Sequence, residues 1–214
     1  MWEVVKLIPT KEEWYDALSE RHGEKIQNIF ESATGAVCGL GSNIAFALAR
    51  AGIGKLILID LDSVDITNLH RQQYKASQIG MNKTQALKEN LLEIAPYVSI
   101  ETHSVRISED NAEELLKNAD IICEAFDDAE CKAMLSNLVN EKMPEKYLVA
   151  ASGMAGFGSA NTIQTRRISK RFYICGDGTS DVSEAGSLVA TRVMLCAAHQ
   201  AHTVLRILTE QFET

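Results

Sequence analysis

Along most of this chain, short and fully apolar runs alternate with stretches whose apolar residues recur every three or four positions. Ala36-Val37-Cys38, Lys55–Asp60, Asp120–Glu124 and Tyr147–Ala151 are the runs. Each has strand length and lacks the polar alternation of a half-wet strand, so each predicts a strand buried on both faces. Residues 97–104 alternate and predict one more strand. The helical periodicity falls on Ser42–Ala51, 82–94, Glu109–Lys117 and 129–142, with Ser108 as N-cap of the third. Strands and helices taken in turn predict a mainly parallel sheet with helices on both faces.

The two ends of the chain depart from this rhythm. Val4–Ile8 is strand-like and stops at Pro9; Thr10 and Glu13 then form a capping box, and Trp14, Leu18, Ile26 and Ile29 follow at helical spacing. Residues 11–32 are therefore expected to form one or two helices. After Ser152, Gly153, Gly156, Gly158, Gly176, Gly178 and Gly186 punctuate strands expected at 160–168 and 171–175, before a long helix from about Ser187 to Glu210. Antiparallel strands are thus expected to join the sheet in the C-terminal third. The organisation expected is an N-terminal helical extension, 1–33, and one domain, 34–214.

Composition narrows the functions open to such a fold. With 46% hydrophobic and 23% charged residues, 214 residues can bury a sizeable core. A formal net charge of −8 argues against nucleic acid or an anionic membrane as a bulk partner. No apolar run approaches the roughly 20 residues that span a bilayer. Met-Trp-Glu-Val-Val-Lys at the start is not a signal peptide. The five cysteines are odd in number, scattered and never spaced as C-x-x-C, so neither a disulfide framework nor a four-cysteine zinc site is expected. The chain reads as cytoplasmic and reduced.

Candidate chemistry begins at Gly39-Leu40-Gly41-Ser42-Asn43, between a strand and a helix. Glycines there let phosphates approach the backbone, and the helix start offers free N–H groups and a favourable dipole. The next strand ends at Asp60, about 20 residues on, the offset at which an acidic side chain meets a ribose in nucleotide-binding βαβ units. A tight turn and a locally held carboxylate would look the same in sequence; the combination favours a nucleotide. The expected fold class is α/β, with a Rossmann-like mainly parallel sheet.

From Asp60 onward the chain carries more than a dinucleotide fold needs: Asp60-Leu61-Asp62, Asn68-Leu69-His70-Arg71-Gln72, Gly80-Met81-Asn82-Lys83 and Asp127-Asp128. In that order and spacing these segments resemble the ThiF/MoeB/HesA family, bacterial relatives of ubiquitin-activating enzymes, over roughly 33–212. The likeness extends to Ala150–Gly156 and Cys175-Gly176-Asp177-Gly178, as in short ThiF-type adenylyltransferases of the sulfur carrier ThiS. The resemblance implies ATP and Mg²⁺, with Asp60 on the ribose and Gly39, Gly41, Ser42, Asp62, Asn68, Arg71, Gln72, Lys83 and Asp128 lining the nucleotide. Arg71, Lys83 and Asp127 are the implied catalytic residues: two cations for phosphoryl transfer and a carboxylate for magnesium. It further implies a homodimer in which Arg21 reaches the partner subunit's ATP. The implied substrate is a small ubiquitin-fold sulfur carrier ending in Gly-Gly, activated for thiamine thiazole synthesis.

Three departures from the family pattern stand out. Either the first two glycines of its phosphate loop are replaced by Ala36 and Cys38 or the loop is about three residues shorter, its zinc-binding C-x-x-C pairs are missing, and Val182-Ser183-Glu184 occupies the place of a reactive cysteine. Cys175 is the nearest thiol, either a reactive group near Arg171 or a small buried strand residue; the other cysteines, and His199 and His202, are expected to pack. Alternatives are an activating enzyme for a molybdopterin carrier or a tRNA base, an NAD-binding oxidoreductase, which would leave Arg71, Lys83 and Asp127 idle, and a non-catalytic scaffold.

Overall fold

A computed structural model describes residues 8–39 and 41–214. Two helices come first: α1 (Lys11–His22), opened by reciprocal Thr10–Glu13 hydrogen bonds, and α2 (Glu24–Ser32). The strand expected over Val4–Ile8 falls outside the described residues apart from Ile8, which belongs to no regular element. Trp14 packs against the main core, and Gln27 on α2 donates to the Gly52 carbonyl, fixing the helix pair to the body.

The body runs β1 (Thr34–Gly39), α3 (Ser42–Arg50), β2 (Lys55–Ile59), α4 (Lys83–Ile94), β3 (Ser99–His103), α5 (Ala112–Leu116), β4 (Ile121–Ala125), α6 (Ala129–Lys142) and β5 (Tyr147–Ala151). It closes with β6 (Gln164–Arg167), β7 (Phe172–Gly176), α7 (Val182–Ala185) and α8 (Ala190–Leu208). The sheet order is β3-β2-β1-β4-β5-β7-β6. Every neighbouring pair is parallel except β6 with β7, so β7 extends the parallel run and β6 turns back at the edge.

Why the central strands are largely apolar is visible in where alternate side chains go. Val37, Leu56, Leu58, Ile121 and Cys123 enter one core, beneath α3, α4 and α8. Ala36, Cys38, Ile57, Ile59 and Ile122 enter the other, beneath α5 and α6. With both faces covered, a polar side chain at either parity needs an internal partner.

Three expectations are corrected. The third periodic helix starts at Ala112, not Glu109: the Asn111 side chain accepts from the Ser108 N–H and donates to the Arg106 carbonyl, holding 106–111 as a turn, so Ser108 is not its side-chain cap. Ala160–Thr162 is a 3-10 turn begun by Ser159, which shortens the first late strand to Gln164–Arg167. The final helix starts at Ala190, since Gly186 ends the four-residue α7 in a left-handed turn and Leu188 bridges to Ala155.

Candidate active site at the carboxyl edge of the sheet

Strand β1 lies between β2 and β4, where successive connections diverge to opposite sides, and open α/β sheets bind ligands in the crevice at that point. Two glycines shape it. Gly39 has φ +82°, and a Cβ on it would meet the Phe126 ring at 2.7 Å; a Cβ on Gly41 would meet Val37 at 2.2 Å. Gly41 also precedes α3 without a side-chain cap, so the first turn of that helix keeps its dipole and N–H groups free of a capping oxygen.

Beyond β2 the chain makes a charged cluster. Asp60 Oδ1 accepts from the Asp62 N–H at 2.8 Å, whereas Oδ2 is buried without a partner among the described residues. Burial pushes this carboxyl above its ordinary range; nearby Asp62 and Asp127 add to the shift, against the Asp62 N–H and the Lys83 charge. Lys83 begins α4, is 3% exposed, and donates to Asp62 Oδ2 at 2.7 Å. Its backbone N–H holds the Asp62 carbonyl as well, so the lysine and the acidic turn are positioned together.

The next segment is held against α3. Asn68 takes the Asp65 N–H on its side chain and the Arg71 and Gln72 N–H groups on its carbonyl. Asn43 donates to the Arg71 carbonyl at 2.9 Å, and Ser42 Oγ accepts from the Gln73 N–H at 3.1 Å. Arg71 Nη1 donates to the Thr67 carbonyl, and no carboxylate pairs with the guanidinium among the described residues. His70 meets the Leu188 carbonyl at 3.1 Å, linking this segment to the stretch that precedes α8.

Arg71, Gln72 and Asp127 line one cavity of about 280 Å³, reaching from the start of α3 past the ends of β4 and β5 to α8. Most of its wall is small or apolar, as with Ile44, Ala125, Ala151, Met154 and Val193. Its cover comes from residues 153–155 and 180–182 with Leu188. Arg192 braces that cover, pairing with Asp177 and donating to the Gly158 and Ser159 carbonyls. Although burial opposes its ionisation, Asp177 is held at about 2 by the Ser180 and Thr179 N–H groups and Arg192.

The expected residues therefore divide. Arg71, Gln72, Asp127 and Gly41 meet at the cavity; Asp60, Asp62 and Lys83 stand beside it, with Asp127 close enough to shift Asp60. Lys83 does not line the cavity, which corrects the expectation that both cations face one space: its ammonium is drawn to Asp62 instead. Ser42 engages its hydroxyl within the scaffold. Asp128 is the N-cap of α6, accepting from the Cys131 N–H at 2.7 Å. Arg21 is exposed in the last turn of α1. Cys175 is 0% exposed, lies near Thr165 and Thr203, and has a thiol pushed up by burial, so it is a packed strand residue and not a reactive group. Among the described residues no three His, Cys, Asp or Glu side chains gather as a metal site.

Sequence reasoning missed an ion pair at the cavity wall. Glu124 is 1% exposed inside β4, and Lys132 on α6 donates to both its oxygens, at 2.9 and 3.2 Å, and to the Ala151 carbonyl at 3.0 Å. Burial raises the Glu124 carboxyl in spite of the lysine. A carboxylate inside Ile-Ile-Cys-Glu-Ala was the available signal, because such a residue needs a partner.

The model of the ThiF family matches residues 17–214. The adenylyltransferase and sulfurtransferase UBA4 of Lodderomyces elongisporus is 27% identical over 177 residues, 80% of this chain and 38% of that protein. The adenylyltransferase and sulfurtransferase MOCS3 of Caenorhabditis briggsae is 36% identical over 101 residues, 47% of this chain and 25% of that one. This chain thus matches less than half the length of either relative. The E. coli tRNA N6-threonylcarbamoyladenosine dehydratase TcdA, crystallised with ATP, superposes with TM-score 0.83 at 21% identity, over 96% of this chain and 98% of that one. At that identity the likeness establishes the fold.

Proposed function

The chain belongs to the ThiF family, and from that premise we propose that it is an ATP-dependent adenylyltransferase acting on the C-terminal carboxylate of a small ubiquitin-fold sulfur carrier. The observation that carries this reading is the meeting of Arg71 and Asp127 at one cavity, beside a buried Asp60 oxygen that lacks a partner among the described residues. A ribose hydroxyl would satisfy that oxygen, and the start of α3 after Gly41, whose first N–H groups meet no side-chain cap, suits a triphosphate.

In the reaction, an oxygen of the terminal carboxylate attacks the α-phosphorus of ATP. The bond from that phosphorus to the β-phosphate bridging oxygen breaks, and pyrophosphate departs with the electron pair. Both reactants are anionic, so charge decides the barrier. Arg71 offers its planar fork to the α-phosphate oxygens, and Lys83 adds an ammonium held in place by Asp62. The Asp60, Asp62 and Asp127 carboxylates would repel a bare triphosphate; Asp127 would hold magnesium, which would neutralise phosphate charge. The small-walled cavity under the 153–155 and 180–182 cover receives the carrier's tail, and a Gly-Gly end suits its width.

The carrier is read as ThiS-like, serving thiamine thiazole synthesis in the cytoplasm, and the enzyme as a homodimer in which Arg21 reaches the partner subunit's nucleotide. Residues 34–214 form the adenylation domain and 1–33 its helical extension. A second reading takes a tRNA-borne carboxylate as substrate, favoured by the end-to-end likeness to the tRNA dehydratase; the net charge of −8 weighs against it. ATP–pyrophosphate exchange with Gly-Gly carriers, run beside Arg71→Ala and Lys83→Ala, tests the proposal. Carrier-dependent exchange that falls at least tenfold in both variants is expected. Pyrophosphate release that needs tRNA and ignores every carrier would replace it with the second reading.

A further inference from the structure

Among the described residues, the buried side-chain amides other than Gln72 make hydrogen bonds within the protein. Gln27 bonds His22 and the Gly52 carbonyl; Gln78 and Asn90 bond each other and nearby backbone; Gln200 donates to the Glu124 and Val149 carbonyls. Gln72 breaks the pattern. It is 6% exposed, both polar atoms of its amide lack partners among the described residues, and it lines the cavity. A buried amide left unpaired at both ends costs stability, and native chains keep few of them.

The backbone holds Gln72 where it is. Its N–H bonds the Asn68 carbonyl, its own carbonyl takes the Tyr74 N–H, and its neighbours are pinned by Asn43 and Ser42 on α3. The orphaned amide is thus presented by a rigid segment, one residue from Arg71. Lys132, the cavity's other cation, is already engaged by Glu124. Beside the charged Arg71 and Asp127, Gln72 thus gives the cavity a neutral, two-handed group: one oxygen that accepts and one NH₂ that donates.

We infer that Gln72 is a specificity-determining residue that pairs with a peptide group of the incoming tail, its oxygen taking the peptide N–H and its NH₂ donating to the peptide carbonyl. This rests on the acyl substrate being a protein tail, and it moves Gln72 from the nucleotide to the acceptor. Adenine could also match such an amide. Position decides between them: the ribose-type carboxylate Asp60 stands outside the cavity, whereas Arg71, at the phosphoryl centre, lines it together with Gln72. The cavity wall near the cover, with Ala151, Gly153 and Ala155, is built from side chains small enough for an extended backbone.

The test uses a short synthetic peptide ending in Gly-Gly, with esters replacing its last few peptide bonds one at a time. Each ester removes one N–H donor. Calorimetry with the full-length, ATP-loaded protein should show one ester binding about tenfold more weakly than the amide peptide, since a buried acceptor is left unmatched. Gln72→Leu should bind the amide peptide about as weakly as wild type binds that ester, no longer distinguish the two, and keep its affinity for ATP. Equal binding of every ester by the wild type, no peptide binding at all, or a Gln72→Leu defect confined to ATP would each overturn the inference. The ester series on wild type decides the matter even if the variant folds poorly. Should peptides bind with this discrimination while no carrier supports exchange, the tail site stands and adenylation fails. Should exchange proceed with carriers while no ester matters, adenylation stands and the role of Gln72 fails.

Discussion

The two halves of the site hold their polar groups in opposite ways. Beside β2, Asp62 pairs with the buried Lys83 ammonium, Asp60 lies within reach of Lys83, Asp62 and Asp127, and one Asp60 oxygen is orphaned among the described residues. Under the cover, Lys132 is matched to Glu124 and Arg192 to Asp177, and the buried polar atoms left without a partner among the described residues are both ends of the neutral Gln72 amide and the Arg192 Nε. Charge left unbalanced marks the half suited to an ionic ligand, and charge balanced internally marks a wall that holds shape. Arg71 stands at the boundary between them.

The largest effect should come from that boundary. Arg71→Ala removes the cation proposed to act on the α-phosphate and should lower carrier-dependent exchange by roughly 100-fold, the scale of losing one preorganised donor to developing charge. Its melting temperature should barely move, because the guanidinium is only half-buried and no carboxylate pairs with it among the described residues. Lys132→Met should behave in the reverse way. Glu124 would be left in β4 without its cation, costing about 2–3 kcal/mol in urea denaturation, below the roughly 3–5 of a fully buried pair because Lys132 is partly exposed. Exchange by the folded fraction should fall far less than in Arg71→Ala. A stable Lys132→Met protein that has lost exchange would break the comparison, making Lys132 a phosphate-binding cation.

The same division explains what could be read from the chain. Strands β1, β2, β4 and β5 were legible because burial on both faces leaves them largely apolar at both parities, a signal carried by each strand alone, whereas the edge strand β3 was legible from its alternation. Asp60 was legible because it ends a strand at the offset from the glycine turn that nucleotide folds reuse, whereas Arg71 and Asp127 were legible through the resemblance to the ThiF/MoeB/HesA pattern. The pairing of Lys83 with Asp62 was not, since it arises from a strand-like bridge between Ser63 and Asn82 that brings distant residues together. Nor was the pair of Glu124 and Lys132, one on a strand and one on a helix. Helix α7 was missed because a four-residue turn capped by Asp181 carries no periodicity. The orphaned state of Gln72 depends on what Asn43 and Ser42 hold in place, which only the fold supplies.

The smallest predicted effect probes the charged half alone. In the free protein, burial holds the Asp60 carboxyl above its ordinary value, so its protonated form suits the fold better than its anion. Its stability contribution is then fully present below the unfolded value and lost as pH rises through the raised one. Asp60→Asn should therefore stabilise the free protein slightly at neutral pH. Nucleotide binding runs the other way: ribose hydroxyls donate to the anion, so binding draws the proton off and ATP affinity rises as pH climbs through the raised value, then levels. Asp60→Asn should weaken ATP by roughly tenfold at neutral pH, the scale of a hydrogen bond to charge. It should also flatten the acid limb of the wild-type profile that remains after the nucleotide's own titration, common to both proteins, is subtracted. A variant that stabilises the free protein while retaining the full acid limb would mean that the orphaned oxygen faces something other than a ribose.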